Sequence, residues 1–177
     1  TRRKILCLLG NETSLRFGNV RHHINYIFEE GFDLNDFPPT LPTHLSPADL
    51  ESFRKRYPGI VFLCHPALKL KPHTHKRAKV VEELMASGLV DGVEIFNGSM
   101  LSNGVPSILT RRGVEMLLGA RSRGAHLAAL GCSDAHRQDL VGSAVTAFRG
   151  KSPANIFTAI REAETYPVLV SQKARER

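Results

Sequence analysis

An aspartate and a histidine stand two positions apart in the segment 131–136, whose sequence is Gly-Cys-Ser-Asp-Ala-His. The apolar run at 126–130 precedes them and is typical of a buried strand. Residues two apart on an extended chain point to the same side, so Asp134 and His136 are expected to aim at one point beyond the strand. A carboxylate beside an imidazole is a common ligand pair for a catalytic divalent metal. Asp-x-His also occurs in plain turns, so the interpretation depends on what other strand ends offer.

Matching residues stand on or just past other predicted strands along the chain. Glu12 follows the first strand, the adjacent pair His22 and His23 lies on the second extended segment, and His65 follows the third strand. In α/β barrels and in open α/β sheets, functional groups gather at the carboxyl ends of the strands. The joint placement of these residues predicts a mixed imidazole–carboxylate site for zinc, manganese or iron.

The elements that position these residues can be predicted from apolar runs and turn signals. Predicted strands lie at 4–9, 21–28, 60–64, 90–96, 126–130, 143–148 and 167–170. Predicted helices begin at Pro47 and Pro153, each behind a serine N-cap, and two more span 76–87 and 109–122. Strands and helices alternate from residue 60 onward, which predicts βαβ units and a parallel sheet, either open or closed as a barrel. Gly10-Asn11 is interpreted as the end of the first strand, with a polar loop behind it.

The length of 177 residues suits a single domain over 1–177. The Pro-rich loop at 37–45 is interpreted as an insertion and not as a domain boundary. The chain shows no apolar run of membrane-spanning length and no signal-peptide pattern, which favours a cytoplasmic protein with no membrane partner. Three cysteines without paired spacing argue against a disulfide framework and favour a reducing compartment.

The chain is basic, with a net charge of +7 and a pI near 9.7. This charge favours anionic ligands such as phosphates or nucleic acid, although a basic, solvated surface without a specific partner is the plainer interpretation. The basic residues are scattered and the chain has no tryptophan, so no aromatic-rich basic stripe points to a nucleic-acid interface.

Several of these segments, in this order, resemble motifs of the PHP (polymerase and histidinol phosphatase) superfamily. Residues 10–14 followed by 23–25 resemble its glutamate motif and the histidine after it, and 62–66 resemble its strand that ends in His-Pro. Residues 91–97 resemble the strand that follows, and 131–136 followed by 141–143 resemble its last metal-binding motif. The resemblance runs from about Lys4 to Val170.

This resemblance implies a distorted (β/α)7 TIM-like barrel with two or three divalent ions (zinc, manganese or iron) at its mouth. It implies hydrolysis of a phosphoester by a metal-bound hydroxide. Carried over residue by residue, Asp134 and His136 would be catalytic, and the metal ligands would be Glu12, His23, His65, Asp134 and His136. Glu12 would bridge two ions, and His22 is an alternative to His23.

Three further residues are candidates for supporting roles. Arg16 and Arg137 are candidate contacts to the substrate phosphate, although both are equally compatible with a solvated surface. Glu94, inside a predicted strand, is a candidate buried carboxylate that orients a histidine, or else a member of a structural ion pair.

One departure from the superfamily pattern concerns its first motif, His-x-His, which should lie upstream of Lys4. The chain as given is therefore expected to be N-terminally incomplete and to lack the first strand or strands of the barrel. His73-Thr74-His75 has the right residues in the wrong order along the chain, and is interpreted as an exposed loop before a helix.

Two other functions remain open at this point. One is a non-catalytic PHP-like module with a structural or partner-binding role. The other is an amidohydrolase-like metal hydrolase, although that class typically has a metal-binding lysine and no lysine stands clearly at a strand end here.

Overall fold

The computed structural model describes residues 8–29, 43–67, 75–100 and 107–170. The strands are β1 Gly10–Phe17, β2 Val20–Phe28, β3 His44–Leu45, β4 Gly59–Leu63, β5 Gly92–Asn97, β6 Ala128–Cys132, β7 Ala144–Phe148 and β8 Thr165–Leu169. The helices are α1 Pro47–Arg56, α2 His75–Ala86, α3 Ile108–Ser122 and α4 Pro153–Arg161. In the described ranges, no helix is long and apolar enough to cross a membrane.

Six of the strands form one mixed sheet in the order β3-β1-β2-β4-β5-β6. Strands β4, β5 and β6 are parallel and are joined by α2 and α3, which confirms the predicted βαβ units for this part of the chain. The prediction of parallel strands is wrong for β7 and β8, which pair antiparallel. Strands β1 and β2 form an antiparallel hairpin, and β2 also runs antiparallel to β4. Strand β2 therefore runs opposite to the parallel strands β4, β5 and β6, whereas β1 runs in the same direction as they do.

Apolar side chains cover both faces of this sheet. The larger cluster joins α1, α2 and α3 to one face through residues such as Leu50, Leu84 and Leu117. The smaller cluster lies on the opposite face, where Phe157 and Ile160 of α4 pack. All five residues of β4 are buried because this strand lies between the two clusters. We call the face that packs on α4 the α4 face.

The prediction that Gly10-Asn11 ends the first strand is wrong. Residues 10–17 are themselves a strand, paired residue by residue with β2, and residues 8 and 9 lie outside it. The chain reverses at Gly18 and Asn19 instead, where Gly18 takes a φ of 58° that favours glycine. The first Gly-Asn pair, Gly10-Asn11, is part of a strand, and the second, Gly18-Asn19, forms the hairpin turn. Glu12 thus lies within a strand and not in a loop.

The predicted (β/α)7 TIM-like barrel is not confirmed by the described strands, which do not close into a barrel. Strands β7 and β8 form a separate antiparallel pair beside β6. Threonine side chains bridge the two sheets: Thr146 Oγ1 lies 3.0 Å from both the N and the O of Gly131, and Thr165 Oγ1 donates to Ala129 O at 2.7 Å. A Cβ atom at Gly131 would stand 2.5 Å from the carbonyl oxygen of Val145, so glycine permits this approach.

Other sequence predictions fall partly or wholly outside the described residues. Of the Pro-rich loop at 37–45, the structure describes only Thr43, His44 and Leu45, and the last two form β3. Cys7 and the first two residues of His73-Thr74-His75 also lie outside, while His75 is the first residue of α2. Cys64 and Cys132 are free thiols, as predicted.

Both predicted serine caps are confirmed by capping boxes, Ser46 with Asp49 in α1 and Ser152 with Asn155 in α4. The other end of α4 forms a Schellman motif. The N–H of Glu164 donates to Ala159 O at 2.8 Å, and the N–H of Ala163 donates to Ile160 O at 3.1 Å.

The residue that closes this motif is Ala163, which has a φ of 55°. We expect Ala163→Gly to raise the free energy of unfolding by about 1 kcal/mol, because glycine adopts the left-handed conformation without a Cβ penalty. Urea-induced unfolding measures the change. Ala154→Gly, at an exposed position inside the same helix, is the matched control and should lower stability by up to about 1 kcal/mol. Equal losses in both variants would contradict the expectation.

Candidate metal centre

Three predicted ligands come together at the carboxyl edge of β4. Glu12 Oε1 lies 2.9 Å from His23 Nδ1, and the rings of His23 and His65 meet edge to face with centroids 5.1 Å apart. One ligand atom from each of the three residues lies within 4.8 Å of the others. Opposite ligands of one ion bonded at about 2.1 Å are about 4.2 Å apart, so a small closure would bring all three into bonding range. A carboxylate with two imidazoles fits zinc, manganese or iron.

The hairpin register explains how Glu12 and His23 share a face. Ser14 lies opposite His23 and Glu12 lies opposite Asn25, and all four occupy alternate positions that point to the α4 face. The alternative ligand, His22, points the other way and is buried at 7% exposure on the helix-covered face of β2. The structure therefore brings His23 to the cluster and keeps His22 away from it.

His65 is held in place through its backbone. It lies two residues past the end of β4, takes a φ of 28°, and its N–H donates to Glu94 Oε2 at 2.6 Å. Burial lowers the pKa of His65, and the neighbouring His23 lowers it further, against the opposing charges of Asp134 and Glu12. The imidazole is thus neutral at pH 7 and offers a nitrogen lone pair to a cation.

Asp134 lies beside this cluster without being a member of it. Its charge opposes the burial that lowers the pKa of His65 and adds to the burial that raises the pKa of Glu94, so it lies near both groups. Its Oδ2 accepts from Asn97 Nδ2 at 3.0 Å and lies 2.9 Å from Ser99 Oγ. The single proton of Ser99 Oγ goes either to Asp134 or to Asn97 Oδ1, which is 2.6 Å away.

The backbone at Asp134 changes the expected geometry of the Asp-x-His segment. Strand β6 ends at Cys132, and Asp134 has a left-handed φ of 44°, so extended-chain spacing does not apply there. The side chain of His136 is 79% exposed, and its Nδ1 lies 2.9 Å from the backbone oxygen of Asp134. His136 Nδ1 lies 3.7 Å from Asp134 Oδ1 but is not part of the cluster of Glu12, His23 and His65, and its role as a ligand stays a prediction.

The two candidate phosphate contacts also lie away from the cluster. Arg137 makes a two-point contact with Asp139, with nitrogen–oxygen distances of 3.0 and 2.7 Å. Arg16 is exposed on β1, four positions beyond Glu12 on the same face. Neither role is tested by these positions.

A buried carboxylate, Glu94, connects the separate parts of the site. It is 3% exposed and accepts from the His65 N–H at 2.6 Å and from Asn97 Nδ2 at 3.2 Å. Burial raises the pKa of Glu94 to about 7, and these two hydrogen bonds oppose the rise. Burial also raises the pKa of Cys132, so this thiol stays protonated and hydrogen-bonds the Glu94 carboxylate. Glu94 is buried, as predicted, and it accepts from the backbone N–H of His65. That it orients a histidine ring stays a prediction.

Asn97 is a site residue that sequence reasoning missed. Its Nδ2 bridges Glu94 Oε2 and Asp134 Oδ2, although residues 94 and 97 would face opposite sides of a regular strand. The register of β5 against β6 shifts between Glu94 and Phe96, and this irregularity brings both side chains to one side. The sequence signal that could have identified Asn97 is the presence of an amide and a carboxylate, Asn97 and Glu94, within one otherwise apolar strand.

Comparison with known proteins gives one match. No curated protein and no solved structure matches the chain. Residues 121–165 match a family model described as PHP-associated. The matched segment holds β6, β7 and α4 and contains Asp134 and His136. This match, in the same region as the motif resemblance at 131–143, relates the chain to the PHP superfamily.

Proposed function

We propose that this chain carries a divalent-metal centre for hydrolysis of phosphoesters. The observation that carries the proposal is the convergence of Glu12, His23 and His65 at the carboxyl edge of β4, beside Asp134. The relationship to the PHP superfamily supports the choice of phosphoesters as substrates. The proposal includes two or three ions of zinc, manganese or iron, and a phosphorylated small molecule or nucleotide as the substrate.

Two finer expectations belong to the same proposal. A distorted barrel is supported by β7 and β8, which continue the layer of strands past the edge strand β6. A reducing, cytoplasmic setting is supported by the free thiols of Cys64 and Cys132.

Each residue has a defined task in this proposal. Divalent ions, when bound, supply Lewis-acid polarisation and an activated water. Glu12 and His23 are 46% and 37% exposed, so their ligand atoms are open to ions and substrate from solvent. His65 presents a neutral nitrogen because its pKa is lowered. Asp134 has its Oδ2 engaged by Asn97 and Ser99, which directs its other oxygen, Oδ1, to a ligand or a proton.

Metal binding tests the cluster directly. Protein purified without added metal should contain at least one ion of zinc, manganese or iron per chain by elemental analysis. We expect Glu12→Gln and His65→Ala to lose it, because each removes one donor from a set of three. His44→Ala, an exposed histidine on the edge strand β3, is the control and should retain the wild-type content. A metal-free wild-type protein that also fails to bind added ions would contradict the metal centre.

The hydrogen-bond bridge between strands can be tested separately from the ligands. Asn97→Leu removes both of the Nδ2 contacts, so we expect it to weaken metal binding by about 10–100-fold, as is typical for partners of metal ligands. Ser99→Ala leaves the Asn97–Asp134 contact in place and should have a smaller effect. Competition with a chelator of known affinity measures both changes. Equal affinities in wild type and Asn97→Leu would show that the bridge does not support the site.

Catalysis is tested with p-nitrophenyl phosphate and bis(p-nitrophenyl) phosphate. We expect the metal-loaded protein to hydrolyse at least one of them, and Asp134→Asn to lower kcat by about 100-fold or more, because a charge next to the reacting group is lost. Circular dichroism should show an unchanged fold. A metal-loaded protein that is inert towards both esters would favour the non-catalytic module.

A further inference from the structure

The β1–β2 hairpin extends beyond the sheet edge that carries the metal centre. The pairing of β2 with β4 ends at Ile24 and Leu63, and one further contact joins Cys64 N to His23 O at 2.9 Å. The rest of the hairpin, 14–17 and 20–22, continues past the carboxyl end of β4. At the tip, a Cβ atom at Gly18 would stand 3.8 Å from Val80 Cγ1, so α2 lies beside the turn. The hairpin therefore forms a wall beside the metal centre.

Two arginines of the hairpin lie on the same face as the metal ligands. Arg16 and Arg21 are directly opposite each other in the hairpin register, and both are exposed. Arg21 is two positions from His23 and Arg16 is four positions from Glu12, so both side chains point to the α4 face with the metal ligands. The Cα atoms of Arg21 and His23 are about 7 Å apart, at about 3.4 Å per strand residue.

This arrangement is electrostatically unfavourable in the free protein. Like charges directly opposite each other on paired strands destabilise a sheet by up to about 1 kcal/mol. Within the described ranges, neither guanidinium contacts a carboxylate, and the nearest acid on their face, Glu12, contacts His23. The other arginines of the chain include five that do contact a carboxylate: Arg54, Arg111, Arg123, Arg137 and Arg161. An anion held between Arg16 and Arg21 would relieve the repulsion.

We propose that Arg16 and Arg21 form a second anion subsite, which binds a phosphate of the substrate other than the one at the metal centre. The proposal rests on the proposed phosphoesterase function. Arg16 begins about 14 Å along β1 from Glu12, farther than an arginine side chain extends, so it serves a group displaced towards the hairpin tip. Arg21, directly opposite Arg16, contacts the same group in this proposal. Guanidinium groups bind phosphate oxygens through two parallel hydrogen bonds. The substrate class is therefore a bisphosphate and not a simple monophosphate.

A matched pair of probes tests this subsite. Butyl phosphate carries one phosphate, and butane-1,4-diyl bisphosphate adds a second at the far end of the same chain. We expect a higher kcat/KM for the bisphosphate. Arg16→Gln and Arg21→Gln should each reduce the ratio of the two kcat/KM values by about fivefold or more, because each removes a charge-assisted hydrogen bond. Arg149→Gln removes the same charge at an exposed position after β7 and should leave the ratio unchanged.

Binding without turnover gives an independent measurement. Isothermal titration of the metal-stripped protein with both probes should show tighter binding of the bisphosphate, reduced in both arginine variants but not in Arg149→Gln. If butyl phosphate is hydrolysed and the bisphosphate is neither preferred nor bound more tightly, the second subsite is wrong while the phosphoesterase stands. If neither probe is hydrolysed, the two p-nitrophenyl esters decide the phosphoesterase and the titration alone decides the subsite: equal binding in wild type and arginine variants overturns it.

Discussion

The site depends on one buried carboxylate. Glu94 is 3% exposed between β4 and β6, where an isolated charge would be costly, and donors surround it: the His65 N–H, Asn97 Nδ2 and the thiol of Cys132. These bonds fix the chain where it leaves β4, because the N–H that Glu94 accepts belongs to a residue with a left-handed φ. Glu94 thus fixes the backbone of His65, from which the imidazole extends.

The site combines ligands from two halves of the sheet that differ in topology. The parallel strands supply His65 and Asp134, which are connected through Glu94 and Asn97. The antiparallel hairpin supplies Glu12 and His23, and it is attached to the parallel half through the pairing of β2 with β4. Because His23 O accepts the Cys64 N–H, the ligand from the hairpin and the ligand after β4 are held in register. A displacement of either strand would separate the two imidazoles.

Sequence reasoning succeeded where local chemistry decides the structure. Serine followed by proline predicted the starts of α1 and α4, and the apolar run before His65 predicted β4. Strand alternation could also have separated His23 from His22, since His22 shares its parity with the buried Ile24, Tyr26 and Phe28. Three features could not be predicted from the sequence, because each depends on pairing between distant segments. They are the antiparallel β1–β2 hairpin, the irregular register of β5 and the left-handed φ of Asp134.

Locally unfavourable features concentrate at one edge of the sheet. His65 and Asp134 have left-handed φ values that cost of order 1–2 kcal/mol each in residues other than glycine. Burial of Glu94 and the opposed charges of Arg16 and Arg21 add to this cost. Ala163, the other described non-glycine residue with a positive φ, lies outside the site and has a local reason, since it closes the Schellman motif of α4. His65 and Asp134 have no such helix end to close, and both are candidate ligands. Strain that persists at such positions is a mark of a site whose geometry serves a ligand more than the stability of the fold.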